Sequence, residues 1–595
     1  MISGRTMKRA LPLLAAALFS CGKNDGPAPD PTPTPGKDDV AVPQNVRLHK
    51  ATETELTFQW DPVDGAVSYG WKLTKDGADV KSEKVKERNV TVSSLEKGTT
   101  YGFSVCTNGA SGTSAYSAVL EAKTEGSSTP DPGPSATVIC VDQPLVLTLD
   151  KAPVLGNSGL VQVFKADGTL VDKIDLADLS KMETLSDGTM IPKGADADAG
   201  QIAINNDTPF HTFMDALHSS QYRVVHYTPI RIDGKKLEIK LHNEALSYGE
   251  SYYVTVDESV AGQAFGKDDL PFTVKAAPAG KTFRVAADGS GDFCTVQGAL
   301  SHISRAVGKD DAVTIEVGEG TYRELLFLRN KNNVTIKGLS REKTVIAYPN
   351  NDSYETGSGA SLSTRPEVGR PIGKSGGRSV FLVEGCDNLV LEDLTIENTY
   401  SIPSHKGQAE TIYFNSQYRL TIENCSLISW QDTFLTKGKV WVHNSLIAGH
   451  VDYIWGYPEA CLFEDCEIRS RAGGYIVQAR IPSASNKGFV FLNCTLTASE
   501  GVADGKMYLA RSGGSADYYD NVVFVGCTMG SVIAPAGWHT SPAPNPSTPT
   551  ATSGWREYGS KDPSGKAVSG HNASGKVLSA SEAEPYSSRK AVLGW

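Results

Sequence analysis

An all-β chain is expected, with a right-handed parallel β-helix at the C-terminal end preceded by two β-sandwich domains. Three observations predict it. Glycine is abundant, 58 of 595 residues, which favours many turns over long helices. Residues 41–125 and 137–277 carry short alternating apolar runs broken by turn signals, as half-buried sandwich strands would. From residue 280 onward one template recurs: an alternating strand, a polar pair, then a second short strand. It reads in 388–398 (NLVLEDLTIEN), 419–429 (RLTIENCSLIS), 440–448 (VWVHNSLIA), 460–470 (ACLFEDCEIRS), 488–499 (GFVFLNCTLTAS) and 521–531 (NVVFVGCTMGS). Aligned, Leu394, Cys425, Ser445, Cys466, Cys494 and Cys527 share one position, at intervals of 20 residues and upward. Repeats of that length without intervening helices mark stacked rungs, whose equivalent side chains form internal ladders. The cysteines are expected there as small buried packing groups.

In chain order, the N-terminus reads as an export signal. Lys8 and Arg9 precede an apolar run at 10–19, about half of the ~20 residues that span a bilayer. The run ends in Leu18-Phe19-Ser20-Cys21, which resembles the bacterial lipoprotein box. That resemblance implies a signal peptide over 1–21, lipidation of Cys21, and a membrane-anchored protein of the cell envelope or cell surface, in the outer membrane if the cell is Gram-negative. Met7 is an alternative start. Residues 22–40 form a Pro-rich spacer and 126–136 a second linker. Between them, VPQNVRL, LTFQWDPVDGAVSYGWKL and VSSLEKGTTYGFSV resemble fibronectin type III domains, with Trp60 and Tyr101 in the core. In 137–277, RIDGKKLEIKLHNEALSYGESYYVTVD resembles bacterial immunoglobulin-like domains, and 178–222, which lacks a strand pattern, would be an insertion. No chemistry is expected in either module; Tyr248, Tyr252 and Tyr253 read as core.

A formal charge of −11 argues against nucleic-acid binding, which needs a basic surface. Ten cysteines, nine without Cys21, show no CxxC and no regular short spacing, so no disulfide framework is expected. His405, His443 and His450 lack metal-ligand spacing, and neither metal nor cofactor is expected. A monomer is expected.

Several segments, in order over residues 280–595, resemble pectin methylesterases. VAADGSGDFCTVQGAL (285–300) resembles that family's entry strand and capping helix, and GTYRE (320–324) its structural GxYxE motif. Gln408-Ala409 matches QAVAL, Gln431-Asp432-Thr433 matches QDTL, GHVDYIWG (449–456) matches GxVDFIFG, and Arg511 stands where the family has the arginine of LGRPW. The resemblance implies hydrolysis of galacturonate methyl esters in pectin with release of methanol. Covalent ester hydrolysis needs an ionised carboxylate to attack and a protonated one to serve the leaving group. Asp452 is the expected nucleophile, oriented by Arg511, and Asp432 the acid and then the base. They lie 20 residues apart, one rung length, so adjacent rungs would make them neighbours on one face. Gln408 and Gln431 supply amide donors for the oxyanion. Phe434, Tyr453 and Trp455 would give apolar surface beside Asp432 and, with Trp538, are the expected substrate-binding residues; His450 would share the face of Asp452.

The chain departs from the family pattern at two places. Ser512-Gly513 stands for Pro-Trp after the arginine, leaving Trp455, Trp538 or Tyr518 as the sugar platform. Glu410 stands for an apolar residue, either adding charge to the site or pointing outward. The basic stretch 365–378 (RPEVGRPIGKSGGR) is a candidate holder of free galacturonate carboxylates. Two other readings remain at this point: a lyase or glycosidase on the same fold, and a non-catalytic pectin-binding protein.

Overall fold

The rungs stack because each strand of the C-terminal region pairs in parallel with its counterpart one turn later, so backbone groups that would form an edge are satisfied by the next coil. Twenty-three strands from Thr282–Val285 to Gly575–Val577 form one curled parallel sheet. The computed structural model describes residues 40–52, 54–110, 112–124, 137–192, 211–215, 221–355, 357–359, 363–364, 376–400, 407–568 and 570–595. Cys21 and the linkers at 22–39 and 126–136 lie outside them.

Each polar pair of the repeat proves to be a left-handed turn. Asp393, Asn424, Asn444, Asp465 and Asn493 all have φ between +47° and +55°, and Gly526 follows at +64°. Only glycine and residues with short polar side chains adopt this conformation readily. Asn424 donates to Asp393 at 2.6 Å across one rung. The next residue turns inward at every coil: Leu394, Cys425, Ser445, Cys466, Cys494 and Cys527 are all buried, as the repeat predicts. Phe463, Phe491 and Phe524 stack beneath them at centroid distances of 4.8 and 4.4 Å. At the open end of the coil the helix Val296–Ala306 covers the core. Glu324 of GTYRE accepts from the amides of Val296 and Gln297, satisfying two otherwise orphan donors of its first turn.

The chain divides into two compact units, Met1–Gly133 and Pro134–Trp595. In the first, a three-stranded sheet (Arg47–Ala51, Leu56–Gln59, Asn89–Val92) and a four-stranded one (Ala78–Val85, Ala66–Lys75, Thr100–Gly109, Leu120–Lys123) enclose Trp60, with Phe58 and Phe103 stacked at 4.0 Å. Tyr101 is buried there and its hydroxyl accepts from the amide of Glu96.

Within the second unit, residues 137–274 form a five-stranded and a three-stranded sheet around one apolar core that includes Val163, Ile230, Leu237 and Val254. Their insertion carries structure the sequence did not reveal. Its described parts are the hairpin Met182–Thr184 with Met190–Pro192 and a hairpin of His211–Asp215 with Gln221–His226, whose second strand pairs with Ser363–Thr364 of the β-helix region. Met214 and Val225 join the β-helix core. Between them Arg223 is fully buried and donates to four carbonyls: Gly376 at 2.6 Å, Leu326 at 2.6 Å, Gly377 at 2.9 Å and Ser379 at 2.8 Å. Burial lowers its pKa to about 10, against the pull of Glu355 and Glu384. A second seam joins the sandwich to the cap helix. Asp142 accepts from the amides of Cys294 and Thr295 and from the Thr295 hydroxyl, the helix N-cap.

Replacing Arg223 by methionine removes a donor from four buried carbonyls, of which Gly377 and Ser379 keep Asn350 Nδ2, and should destabilise the second unit by about 3 kcal/mol or more. Urea denaturation checks this. A midpoint unchanged from wild type would mean that the arm is not fastened through Arg223.

Candidate active site

The site spans five successive coils. Gln408 and Gln431 face each other as a parallel bridge on neighbouring rungs. The 20-residue offset that pairs Phe434 with Ile454 also separates Asp432 from Asp452, and the amide of Asp432 donates to the carbonyl of Val451 at 3.1 Å. The next rungs bring Trp455 into register with Gln478, whose side chain reaches Asp452, and place Arg511 one strand further on. Asp432 and Asp452 are therefore neighbours on one face, as the repeat length predicts. Both are left-handed, with φ of +65° and +49°, and a register shift lies between Val451 and Ile454. A bulge of this kind re-aims a side chain at the cost of local strain.

Asp452 is held tightly. Arg511 Nε donates to its two oxygens at 2.8 and 3.1 Å, Arg511 Nη2 to Oδ2, and Gln478 Nε2 to Oδ2 at 3.0 Å. Burial raises the pKa of Asp452, while Arg511, Arg480 and His450 oppose the rise. The charge-assisted fork with Arg511 favours the carboxylate. His450 is buried two residues away, edge-on to Trp430.

Asp432 sits in a different environment. Burial lifts its pKa well above the ordinary range; Arg378 opposes this, and the Glu410 and Asp452 carboxylates add to it. Arg378 Nη2 lies 3.2 Å from its Oδ2, but that guanidinium is shared. Its Nε donates to Glu410 at 2.8 and 2.9 Å, and Nη1 donates to Asp352 at 3.0 Å and to Gln408 Oε1. One cation is divided among three carboxylates, and burial raises the pKa of Glu410 as well as that of Asp432, while Asp452 keeps an arginine to itself. That separation of environments suits a carboxylate pair to acid and nucleophile roles.

The arrangement corrects several expectations. Glu410 does not point outward; it is fully buried against Arg378. Arg378, read from sequence as the end of a sugar-binding loop, is buried and turned toward Asp432, whereas Arg365, Arg370 and Lys374 lie outside the described residues. Phe434 and Tyr453 are fully buried in the β-helix core and offer no surface to a sugar. Trp538 is buried too, stacked on Trp555 at 5.3 Å with its Nε1–H on Glu557. Of the aromatic candidates Trp455, 7% exposed, lies between Arg378 and Arg480, with the latter guanidinium 5.0 Å from its ring, and Tyr518 lies beside Arg480, edge-on to Tyr457 at 5.4 Å.

Sequence reasoning missed Arg378, Asp352, Gln478 and Arg480 as site residues. Gln478 was within reach of it. The rung spacing that relates Asp432 to Asp452 continues to the strand Glu467–Ala479, on which Gln478 lies.

An arginine-clamped carboxylate next to a buried carboxylic acid, on stacked parallel rungs, places the protein among β-helix ester hydrolases. Comparison with known proteins narrows that class. Residues 282–594 match the family described as Pectinesterase, and 41–123 the fibronectin type III domain. Pectinesterase 31 of Arabidopsis thaliana is 35% identical over 260 residues, 43% of this chain and 76% of that protein. Putative pectinesterase/pectinesterase inhibitor 38 of the same plant is 29% identical over 288 residues, 47% of this chain and 55% of that protein. A solved pectin methylesterase of Erwinia chrysanthemi aligns over 54% of this chain and 98% of its own, at 22% identity and a TM-score of 0.42. The chain belongs to the pectinesterase family.

Glu410→Gln should shift the pH dependence of kcat. Removing that anion while Arg378 remains lowers the proton affinity of Asp432, so a reaction needing protonated Asp432 fails at lower pH than in wild type. The alkaline limb moves toward acid, and activity above it drops about tenfold. A pH–rate profile with the limb unmoved, in a variant whose melting shows it folded, would remove Glu410 from the electrostatics of the site.

Proposed function

We propose that this protein hydrolyses the methyl esters of galacturonate in pectin. The observation that carries the reading is the asymmetric pair: Asp452 on its own arginine, Asp432 buried beside a shared one. Asp452 attacks the ester carbonyl. The negative oxygen of the tetrahedral intermediate takes donors from the amides of Gln408 and Gln431. Gln408 has its Oε1 bound by Arg378, which leaves its NH2 as the end able to donate. Collapse breaks the bond to methoxide, Asp432 transfers its proton to it, and methanol leaves an acyl-Asp452 anhydride. Asp432, now a carboxylate, takes a proton from water as the water attacks; collapse returns Asp452 as a carboxylate and releases the galacturonic acid, which gives its proton to solvent.

Methanol release from highly esterified pectin tests this. Asp452→Ala and Asp432→Ala should each lose about 10³-fold or more in kcat, and Gln408→Ala about 10²-fold. Full activity in either aspartate variant rules the mechanism out. Unsaturated or shortened oligomers in place of methanol would move the protein to the lyases or glycosidases.

The proposal extends to location: the protein is an exported lipoprotein, anchored through acyl chains on Cys21 and acting as a monomer in the cell envelope. The support is the sequence of 8–21, a short apolar run behind two cations and ending in a cysteine. Wild type should incorporate an alkynyl fatty acid and sediment with membranes, and Cys21→Ser should do neither. Equal labelling of both proteins defeats the idea.

A further inference from the structure

We propose that Cys140 and Cys294 are joined by a disulfide that bonds the sandwich to the N-terminus of the helix capping the coil. The inference goes beyond the esterase reading and rests on the export reading above, because such bonds form and persist in oxidising compartments outside the cytoplasm.

Two modules bring the cysteines together. Cys140 follows the strand Thr137–Ile139, which lies at the edge of the five-stranded sheet and runs parallel to Pro271–Val274. Cys294 precedes Thr295, the N-cap of the helix Val296–Ala306. Their sulfurs and a carboxylate oxygen of Asp142 all lie within 4.8 Å of one another. A disulfide needs ~2.05 Å between sulfurs, and rotation about the two Cα–Cβ bonds covers the difference. The backbone is fixed on both sides of the gap: the Cys140 amide donates to Gln143 Oε1 at 3.1 Å, and the Cys294 amide to Asp142 Oδ1 at 3.0 Å. The Cys140 thiol lies against the carbonyls of Gly289 and Gly291, in the turn that leads to Cys294.

Lys275 prepares the pair for exchange. Its Nζ lies 3.3 Å from Cys140 Sγ and donates to the carbonyls of Gly289 at 2.8 Å and Gly291 at 3.0 Å. A hydrogen bond from the Cys294 thiol lowers the pKa of Cys140 against the effect of burial, and the Lys275 ammonium lowers it further. The same hydrogen bond, with burial, raises that of Cys294. Cys140 is thus the thiolate of the pair and Cys294 the thiol. The thiolate attacks one sulfur of an oxidant disulfide, that of a dithiol oxidase or of glutathione disulfide, and expels the other sulfur, which takes up a proton. Cys294 then gives up its proton and attacks Cys140 Sγ, releasing the oxidant's second sulfur as a thiol. Two electrons and two protons pass to the oxidant. Cys140 is 0% and Cys294 3% exposed, which places the exchange before the seam closes and shields the finished bond from reductants.

The same residues do not suit a metal. Asp142 commits both oxygens to the amides of Cys294 and Thr295 and to the Thr295 hydroxyl, and an ammonium against the sulfur repels a divalent cation. The cysteines of the inward ladder differ in another way. Cys494 meets Cys466 and Cys527, but stacked rungs keep their Cα–Cβ bonds parallel, whereas a disulfide torsion near 90° needs them turned.

Peptide mass spectrometry after alkylation in denaturant tests the pairing, on full-length protein recovered from the cell envelope and on the same chain refolded in a glutathione redox buffer. Both should give a linked Cys140–Cys294 peptide, with the other buried cysteines alkylated. Thermal melting reads the effect of the bond. A phosphine reductant should lower the midpoint of wild type by about 4 °C and leave the double variant Cys140→Ser, Cys294→Ser unmoved. Alkylated thiols at both 140 and 294 in the refolded protein, a link from either to another cysteine, or an equal reductant shift in wild type and double variant overturns the proposal. So does zinc that co-purifies with wild type and is lost from the double variant. A bond found in the refolded protein alone overturns the export reading and leaves the pairing standing.

Discussion

The site depends on one buried cation. Arg378 is only 4% exposed, and a guanidinium so placed is tolerable only if charge and hydrogen bonds are returned to it. Glu410, Asp352 and Asp432 return the charge, and Gln408 accepts a further bond. The consequences run outward from there. Three carboxylates around one cation cannot all be fully ionised at little cost, so like-charge repulsion adds to burial in raising the pKa of Asp432. The same guanidinium sets which end of the Gln408 amide is left to donate. Removing Arg378 would alter both the Asp432 carboxyl and the orientation of the Gln408 amide, so the two are coupled.

Arg378 in turn depends on the insertion in the preceding sandwich. The backbone on either side of it, at Gly376, Gly377 and Ser379, is fastened by Arg223, and Glu355 accepts the Gly376 amide at 2.7 Å while bonding the amide of His226. The sandwich insertion therefore holds the segment that carries Arg378, the cation beside Asp432. Asp142, capping the helix that closes the coil, makes a second such tie. The sandwich region and the β-helix are one compact unit for this reason, although composition alone suggests separable modules.

What could be read from the sequence follows from which constraints are periodic. The coil, the inward ladder from Leu394 to Cys527 and the adjacency of Asp432 and Asp452 are all statements about residues one rung apart, and rung spacing is visible in a string. Which aromatic residues face a sugar is not. The strand starting Phe434-Leu435-Thr436 is buried on both faces, so alternation carries no information there, and Phe434 cannot be told from a surface residue by pattern. Trp538 fails as a platform for the same reason. Arg378 and Arg223 were hidden differently. Their partners lie 26 to 156 residues away across irregular segments, where no period connects them. The strand Gln221–His226 had no local alternation to show because its neighbours are a distant edge and a buried core.

The two aspartates also break the rule that builds the rest of the coil. Elsewhere the left-handed residues are the polar turn positions that bring the chain round to its next inward side chain. Asp432 and Asp452 adopt the same conformation away from that ladder, and at Asp452 the register slips. A regular strand would send Asp452 and Tyr453 to opposite faces and leave the carboxylate in line with its neighbours. The bulge lets Tyr453 fill the core while Asp452 meets Arg511 and Gln478 from adjoining rungs. Aspartate is among the few residues with a carboxylate that accept positive φ at modest cost, whereas glutamate would need the same strain with a longer, less fixed arm. The backbone thus limits which carboxylate can stand at 452, and the stiffness of stacked rungs on both sides keeps the strained pair from relaxing.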